Sequence, residues 1–422
     1  MVIIACVILL TGLTLLRPRL ALLYIFFSFS FEQLLRTRPP DVVSVGATAL
    51  LPPMRFSQLA TLVLCGLMLI AWVRHLQLPR PGVVFGLFAL YAGLCLASLG
   101  YSVSLSESAR QMTIIALIGL TSATIAWWVR DLDQARSLIR AMYWGVLLHC
   151  LWALFQLGCY LVLGLELGYY APNMGEHLKG RTFGWMLEPN WLGVLFVAVF
   201  PWFLLALDHG RDLGISRRVA FFGLGALIVT LLLNMSRLAW LAVGLQAVAW
   251  ACASPSHLRQ YLKRGLIWTI PILLAAAALF LWGPPVIREQ IVGRFADLAL
   301  FDEGRGSARV RFVDYQRLLD MAEARPWFGH GVGTWSRLIG LSALGAGPTT
   351  TFLYVLVEVG AVGLAALSAL IVVFAWRLFM RYWQNRGALR MYALAGLLSV
   401  LGLCVAAWFV DMKSILSYFP IF

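Results

Sequence analysis

Charge is what this sequence has least of. Asp, Glu, Lys and Arg make up 12% of its 422 residues, against 61% hydrophobic, and the mean hydropathy is +0.84. That balance excludes an ordinary soluble domain and a nucleic-acid partner, and implies a polytopic helical membrane protein. Lysine is nearly missing, with Lys179, Lys263 and Lys413 its only occurrences. The excess of 33 basic over 19 acidic residues is therefore almost all guanidinium. The seven cysteines all fall inside apolar runs. They lack metal spacing and form no disulfide framework, so they read as inert packing. Walker loops, HExxH and nucleophile elbows are missing too. The first segment lacks the basic flank of a cleavable signal peptide and reads as a first span.

What is abundant is apolar length. Windows of about 20 residues place spans near 1–16, 20–34, 57–73, 82–100, 109–129, 141–166, 190–207, 218–235, 237–253, 265–283, 351–376 and 391–411. The expected fold is all-α, with about 12 transmembrane helices. Arginines then mark alternate loops: Arg17 and Arg19, Arg74 and Arg80, Arg130 to Arg140, Arg211 to Arg218, Arg259 to Arg264, and Arg377 to Arg390. The positive-inside rule makes all six cytoplasmic. The loops at 35–56, 167–189 and 284–350 then lie outside.

One of these outer loops is long. Residues 284–350 carry eight arginines and seven acids, a net charge of only +1 (8 − 7). A long polar loop on a rigid membrane scaffold is a place for function. Within it, 309–324 has apolar residues near helical period, which predicts an amphipathic helix at the membrane surface.

Four constellations face the outer side. Arg181 precedes Glu188-Pro189-Asn190, where a helix starts; it suits an anion, or it snorkels at the interface. Arg237 stands between two apolar runs in Asn234-Met-Ser-Arg-Leu-Ala-Trp240, which is costly unless it faces a cavity, a partner or a surface turn. Arg309 and Arg311 come before Pro326-Trp-Phe-Gly-His330-Gly-Val-Gly-Thr-Trp335, a tight glycine turn with its own histidine. Finally, Glu358 lies inside the eleventh span, where a carboxylate is either functional or ties helices together.

In this order and spacing, over about 176–380, the four runs resemble the O-antigen ligase and polymerase superfamily. The resemblance implies a helical, GT-C-like glycosyltransferase fold in the bacterial inner membrane, with its active site facing the periplasm. It divides the chain into a bundle at 1–175, a ligase-like domain at 176–380 with the periplasmic loop 284–350, and a C-terminal segment at 381–422. The donor it implies is an undecaprenyl-diphosphate-linked glycan. The acceptor it implies is lipid A core or a growing glycan, without metal or other cofactor. Family members carry a His-Asn pair before the last of these helices; here that place reads Thr349-Thr350.

A diphosphate leaving group needs fixed cations, and arginine matches phosphate bidentately. Arg181, Arg237, Arg309 and Arg311 are the expected diphosphate ligands, with Arg181, Arg237 and Arg311 converging on one cavity. His330 is the expected base, since histidine changes charge near neutral pH; Glu358 and Asp314 are reserves. The competing classes are a flippase or solute transporter and a protein O-oligosaccharyltransferase. An internal repeat between the halves, common in transporters, is not visible.

Overall fold

The computed structural model describes residues 18–28, 62–68, 70, 82–165, 167, 181–182, 184–186, 189–253, 281, 288, 292, 307–334, 338 and 350–408. Among them are ten α-helices and no strand. They are α1 (Pro18–Ser28), α2 (Val83–Ala97, continued by a 3-10 turn at Ser98–Tyr101), α3 (Leu105–Trp128), α4 (Leu132–Leu163), α5 (Pro189–His209), α6 (Arg217–Asn234), α7 (Arg237–Ala253), α8 (Ser307–Ala324), α9 (Thr351–Gln384) and α10 (Gly387–Ala407). Seven are long and apolar enough to cross a membrane, and α7 is apolar but shorter. The windows at 1–16 and 265–283 lie wholly or largely outside the described residues; of 57–73, residues 62–68 and 70 are described and helical.

Several helices outrun their hydropathy windows. α4 begins at Leu132 rather than 141, so Arg136 and Arg140 ride on its first turns instead of a loop. α9 continues to Gln384, past Arg377 and Arg381. The reason is physical: hydropathy marks the part of a helix that sits in lipid, whereas backbone hydrogen bonding continues through charged residues whose stems reach for water.

The chain forms two compact units. One comprises Met1–Gly145, Val313–Met380 and Ala407–Phe422; the other comprises Val146–Phe312 and Arg381–Ala406. They interleave along the sequence.

In the second unit α5 is the central helix. Of its most apolar window 78% is buried, against 50% or less in the other spans, and it packs on α6 and α7. Pro201 sits inside α5 and has no N–H to give the carbonyl four residues back. That carbonyl belongs to Val197, and Gln246 of α7 supplies the missing donor at 2.8 Å. The same Nε2 reaches the Leu398 carbonyl of α10 at 2.9 Å. Gly402 makes room, since a Cβ there would fall onto the Gln246 amide. Leu205, Trp250, Leu394 and Leu398 close the core beneath.

The first unit is organised around a break in α9. Gly360 has φ 75° and ψ −175°, so the helix loses its regular ladder at that turn. The segment after α8 fills the gap. His330 and Gly331 N–H donate to the Val357 and Glu358 carbonyls at 2.9 Å each, while Ala361 and Val362 N–H donate to Pro326 and Trp327 at 2.8 and 3.3 Å. Two carbonyls and two N–H groups at the kink are thus given new partners, as lipid demands. Below it, Leu318 and Ala322 of α8 bury against Val357. Of the predicted amphipathic stripe of α8, Leu318 and Met321 pack here while Leu319 stays exposed.

Candidate functional site

The second unit builds its polar centre where α6 ends and α7 begins. Met235 caps α6 in the left-handed region at φ 55°, the one non-glycine positive φ among the described residues. A β-carbon makes that conformation cost roughly 1–2 kcal/mol. Asn234 offsets it: its buried amide donates to the carbonyls of Thr182 (2.7 Å) and Pro189 (2.8 Å). Thr182 answers with its N–H to the Leu233 carbonyl at 3.2 Å and its hydroxyl to the Thr230 carbonyl at 2.8 Å. The Arg181–Thr182 segment is thereby laced to the last turn of α6.

Arg181 is 3% exposed, which overturns the snorkelling alternative, because a snorkelling head stays in water. Its Nε donates to the Asn234 carbonyl at 2.9 Å. A guanidinium at a helix C-terminus meets the negative end of the macrodipole, a favourable place for a cation. Three residues on, half-buried Arg237 opens α7. Gly193, in the first turn of α5, lies so close to this start that a Cβ would sit 2.9 Å from Ser236 Oγ and 3.0 Å from Ala239 Cβ. The first turns of α5 and α7 are therefore neighbours. Each helix start carries roughly half a positive charge from its macrodipole, and Arg181 and Arg237 belong to the same stretch. Such an arrangement attracts and orients an anion.

A second feature of this unit escaped the sequence reading. His149, fully buried in α4, accepts the Trp185 N–H on Nε2 at 3.3 Å. Trp185 stacks on Trp152 with centroids 5.3 Å apart and planes 6° from parallel. Gly184 has φ +59°, and a Cβ on it would fall onto the imidazole. Trp185 and Gly184, a few residues after Arg181, are held from this side by α4. The available signal was a histidine within an apolar run, which membrane energetics make a default candidate.

In the first unit, His330 Nε2 lies 3.0 Å from the Met321 carbonyl. A carbonyl only accepts, so Nε2 carries a proton in this contact. Glu358 is completely buried, two residues before the kink. Thr350 is buried as well, caps the start of α9 through its carbonyl to Tyr354 N–H at 3.3 Å, and donates its hydroxyl to the Ala407 carbonyl at 3.4 Å. The glycines of the 326–334 segment serve docking. Gly329, Gly331 and Gly333 all have positive φ, and a Cβ on any of them would press on backbone atoms of α9, the 102 position or α3.

The structure thus brings the Arg181 and Arg237 segments together across more than fifty residues of sequence. Arg309 and Arg311 lie in α8, but their side chains, like that of Asp314, fall outside the described residues, as does Thr349.

Residues 222–368 match the family model described as O-antigen ligase. The matched stretch runs from the first turns of α6 through α7 and α8 to the middle of α9, and so holds Arg237, His330 and Glu358; Arg181 precedes it. No curated protein matches the chain.

Proposed function

We propose that this chain, a member of the O-antigen ligase superfamily through residues 222–368, moves a glycan from undecaprenyl diphosphate to an acceptor hydroxyl at the periplasmic face. The observation that carries the reading is the pair of helix N-termini, α5 and α7, flanked by Arg181 and Arg237. A diphosphate bearing about two negative charges is the group such a site favours.

In this reading the acceptor oxygen bonds to the anomeric carbon as the bond from that carbon to the diphosphate oxygen breaks. The bonding electrons leave on the diphosphate, where Arg181 and Arg237, joined by Arg309 and Arg311, offset the growing charge. Preorganised cations of this kind carry most of such a barrier reduction. The hydroxyl proton passes to a general base, a transfer worth about 10²–10⁴-fold; His330 is the side chain we assign to that role, with Glu358 in reserve. Thr349-Thr350 in place of the family's His-Asn pair leans the acceptor towards a growing glycan, which makes the protein a polymerase; lipid A core would make it a ligase.

Purified protein supplied with lipid-linked oligosaccharide and either acceptor tests this directly. Extended glycan, or glycan on lipid A core, is the expected product. Lipid-linked oligosaccharide crossing a proteoliposome bilayer without any transfer would establish a flippase instead. Glycan found on a protein hydroxyl would redefine the acceptor.

A further inference from the structure

α1 and α4 touch at one point and part below it. Gly145 packs so tightly on Phe27 that a Cβ there would fall onto the Phe27 carbonyl. From that apex a groove of about 460 Å³ opens along both helices. α1 lines it with Leu20, Leu23, Tyr24 and Phe27. α4 lines it with Ser137, Arg140, Ala141 and Trp144. Each set follows i, i+3, i+4, i+7, so each is one helix face. Both helices run away from basic segments, Arg17 and Arg19 at the start of one and Arg130, Arg136 and Arg140 at the start of the other. The positive-inside rule therefore puts the open end at the cytoplasmic surface.

Arg140 decides what fits. It is exposed, and among the described residues no carboxylate pairs with it; its neighbour Arg136, by contrast, holds Asp133 at 2.8 Å. Arg19 is exposed too, and likewise has no ion pair among the described residues. Ser137 is already committed to the Asp133 carbonyl at 2.8 Å. The groove thus offers an apolar trough ending in guanidinium charge, at the level where the cytoplasmic leaflet presents anionic headgroups. Seven residues of helix measure about 10 Å, a third of the roughly 30 Å hydrocarbon core. A transmembrane helix would need the full depth, whereas the upper part of one acyl chain does not.

We propose that this groove binds an anionic phospholipid of the cytoplasmic leaflet, phosphate on Arg140 and acyl chain along Leu20, Leu23 and Trp144. The site is separate from the proposed transfer centre. Guanidinium meets phosphate in a bidentate fork, and a zwitterionic headgroup lacks the net charge that rewards this.

The test reconstitutes the full chain into nanodiscs of equimolar phosphatidylglycerol and phosphatidylcholine, then reads retained lipid by native mass spectrometry. Wild type is expected to retain phosphatidylglycerol preferentially. Arg140→Gln should lower that retention about fivefold, the weight of one basic residue near a charged surface. Ala141→Trp, which fills the trough and keeps the charge, should abolish it. Equal retention of both lipids by wild type overturns the proposal, and that comparison stands even where a variant misfolds. Unchanged phosphatidylglycerol retention in both folded variants also overturns it. So does a Ser137→Cys crosslink between two copies, which would show protein covering the groove.

Discussion

Gln246→Leu should destabilise the second unit through a carbonyl on a different helix. Pro201 deprives the Val197 carbonyl of its own helical donor, and Gln246 Nε2 replaces it at 2.8 Å. Leucine removes that bond and the 2.9 Å bond to Leu398. Interhelical hydrogen bonds in membranes average about 0.6 kcal/mol, and an orphaned buried carbonyl costs about 1–3 kcal/mol. The Leu398 carbonyl is spared the second charge, because a regular α10 gives it the Gly402 N–H. Against this, leucine also removes Gln246 Oε1, a buried acceptor with no partner among the described residues. The net expectation is a loss of about 1–3 kcal/mol, read as a lower unfolding midpoint in detergent. The stricter assay is a double-mutant cycle. Pro201→Ala restores the Val197 partner within α5, so Gln246→Leu should cost clearly less in that background, with a coupling of about 1 kcal/mol or more. Additive effects would refute the account, since they would mean that Gln246 serves no carbonyl left open by Pro201.

Arg237→Lys should lower kcat/KM for a lipid-linked donor about 10- to 100-fold, because an ammonium cannot reproduce the fork on a diphosphate; a rate near wild type would remove Arg237 from the donor site. His330→Gln should lower the transfer rate about 10²-fold or more, the weight of a lost general base. A folded variant that keeps most of its rate would make His330 a docking residue through Met321 alone, with Glu358 the better base. Gly360→Ala should cost about 2 kcal/mol or more, since φ 75° is strained for alanine and its Cβ would strike the Trp327 carbonyl; unchanged thermal stability would contradict the docked-loop account. Ser307→Cys should be labelled by impermeant reagents only from the periplasm. Labelling only from the cytoplasm would sink the functional reading.

Much of the fold was legible in residue order alone. Membrane helices announce themselves by apolar length, because lipid leaves the backbone no alternative to the helix. Pro189 marked the start of α5, and the 309–324 periodicity marked α8. The helix ends were less legible at α4 and α9, where charged turns continue a helix that hydropathy ends. The glycines of Pro326 to Trp335 signalled a tight turn, yet their purpose depends on Gly360 some thirty residues later. A sequence shows that a glycine is needed but does not show which backbone comes close.

Composition and periodicity settled the class of this protein, its membrane setting and the residues worth asking about, because those follow from local chemistry that each segment carries by itself. Proximity had to come from the tertiary structure. The pairing of the α5 and α7 N-termini, the seat of Arg181 on the end of α6, His149 behind Trp185 and Gln246 beneath Pro201 each join residues tens of positions apart. Which buried donor meets which stranded acceptor is decided when helices pack, since in lipid every polar group must find a partner wherever the fold happens to bring one.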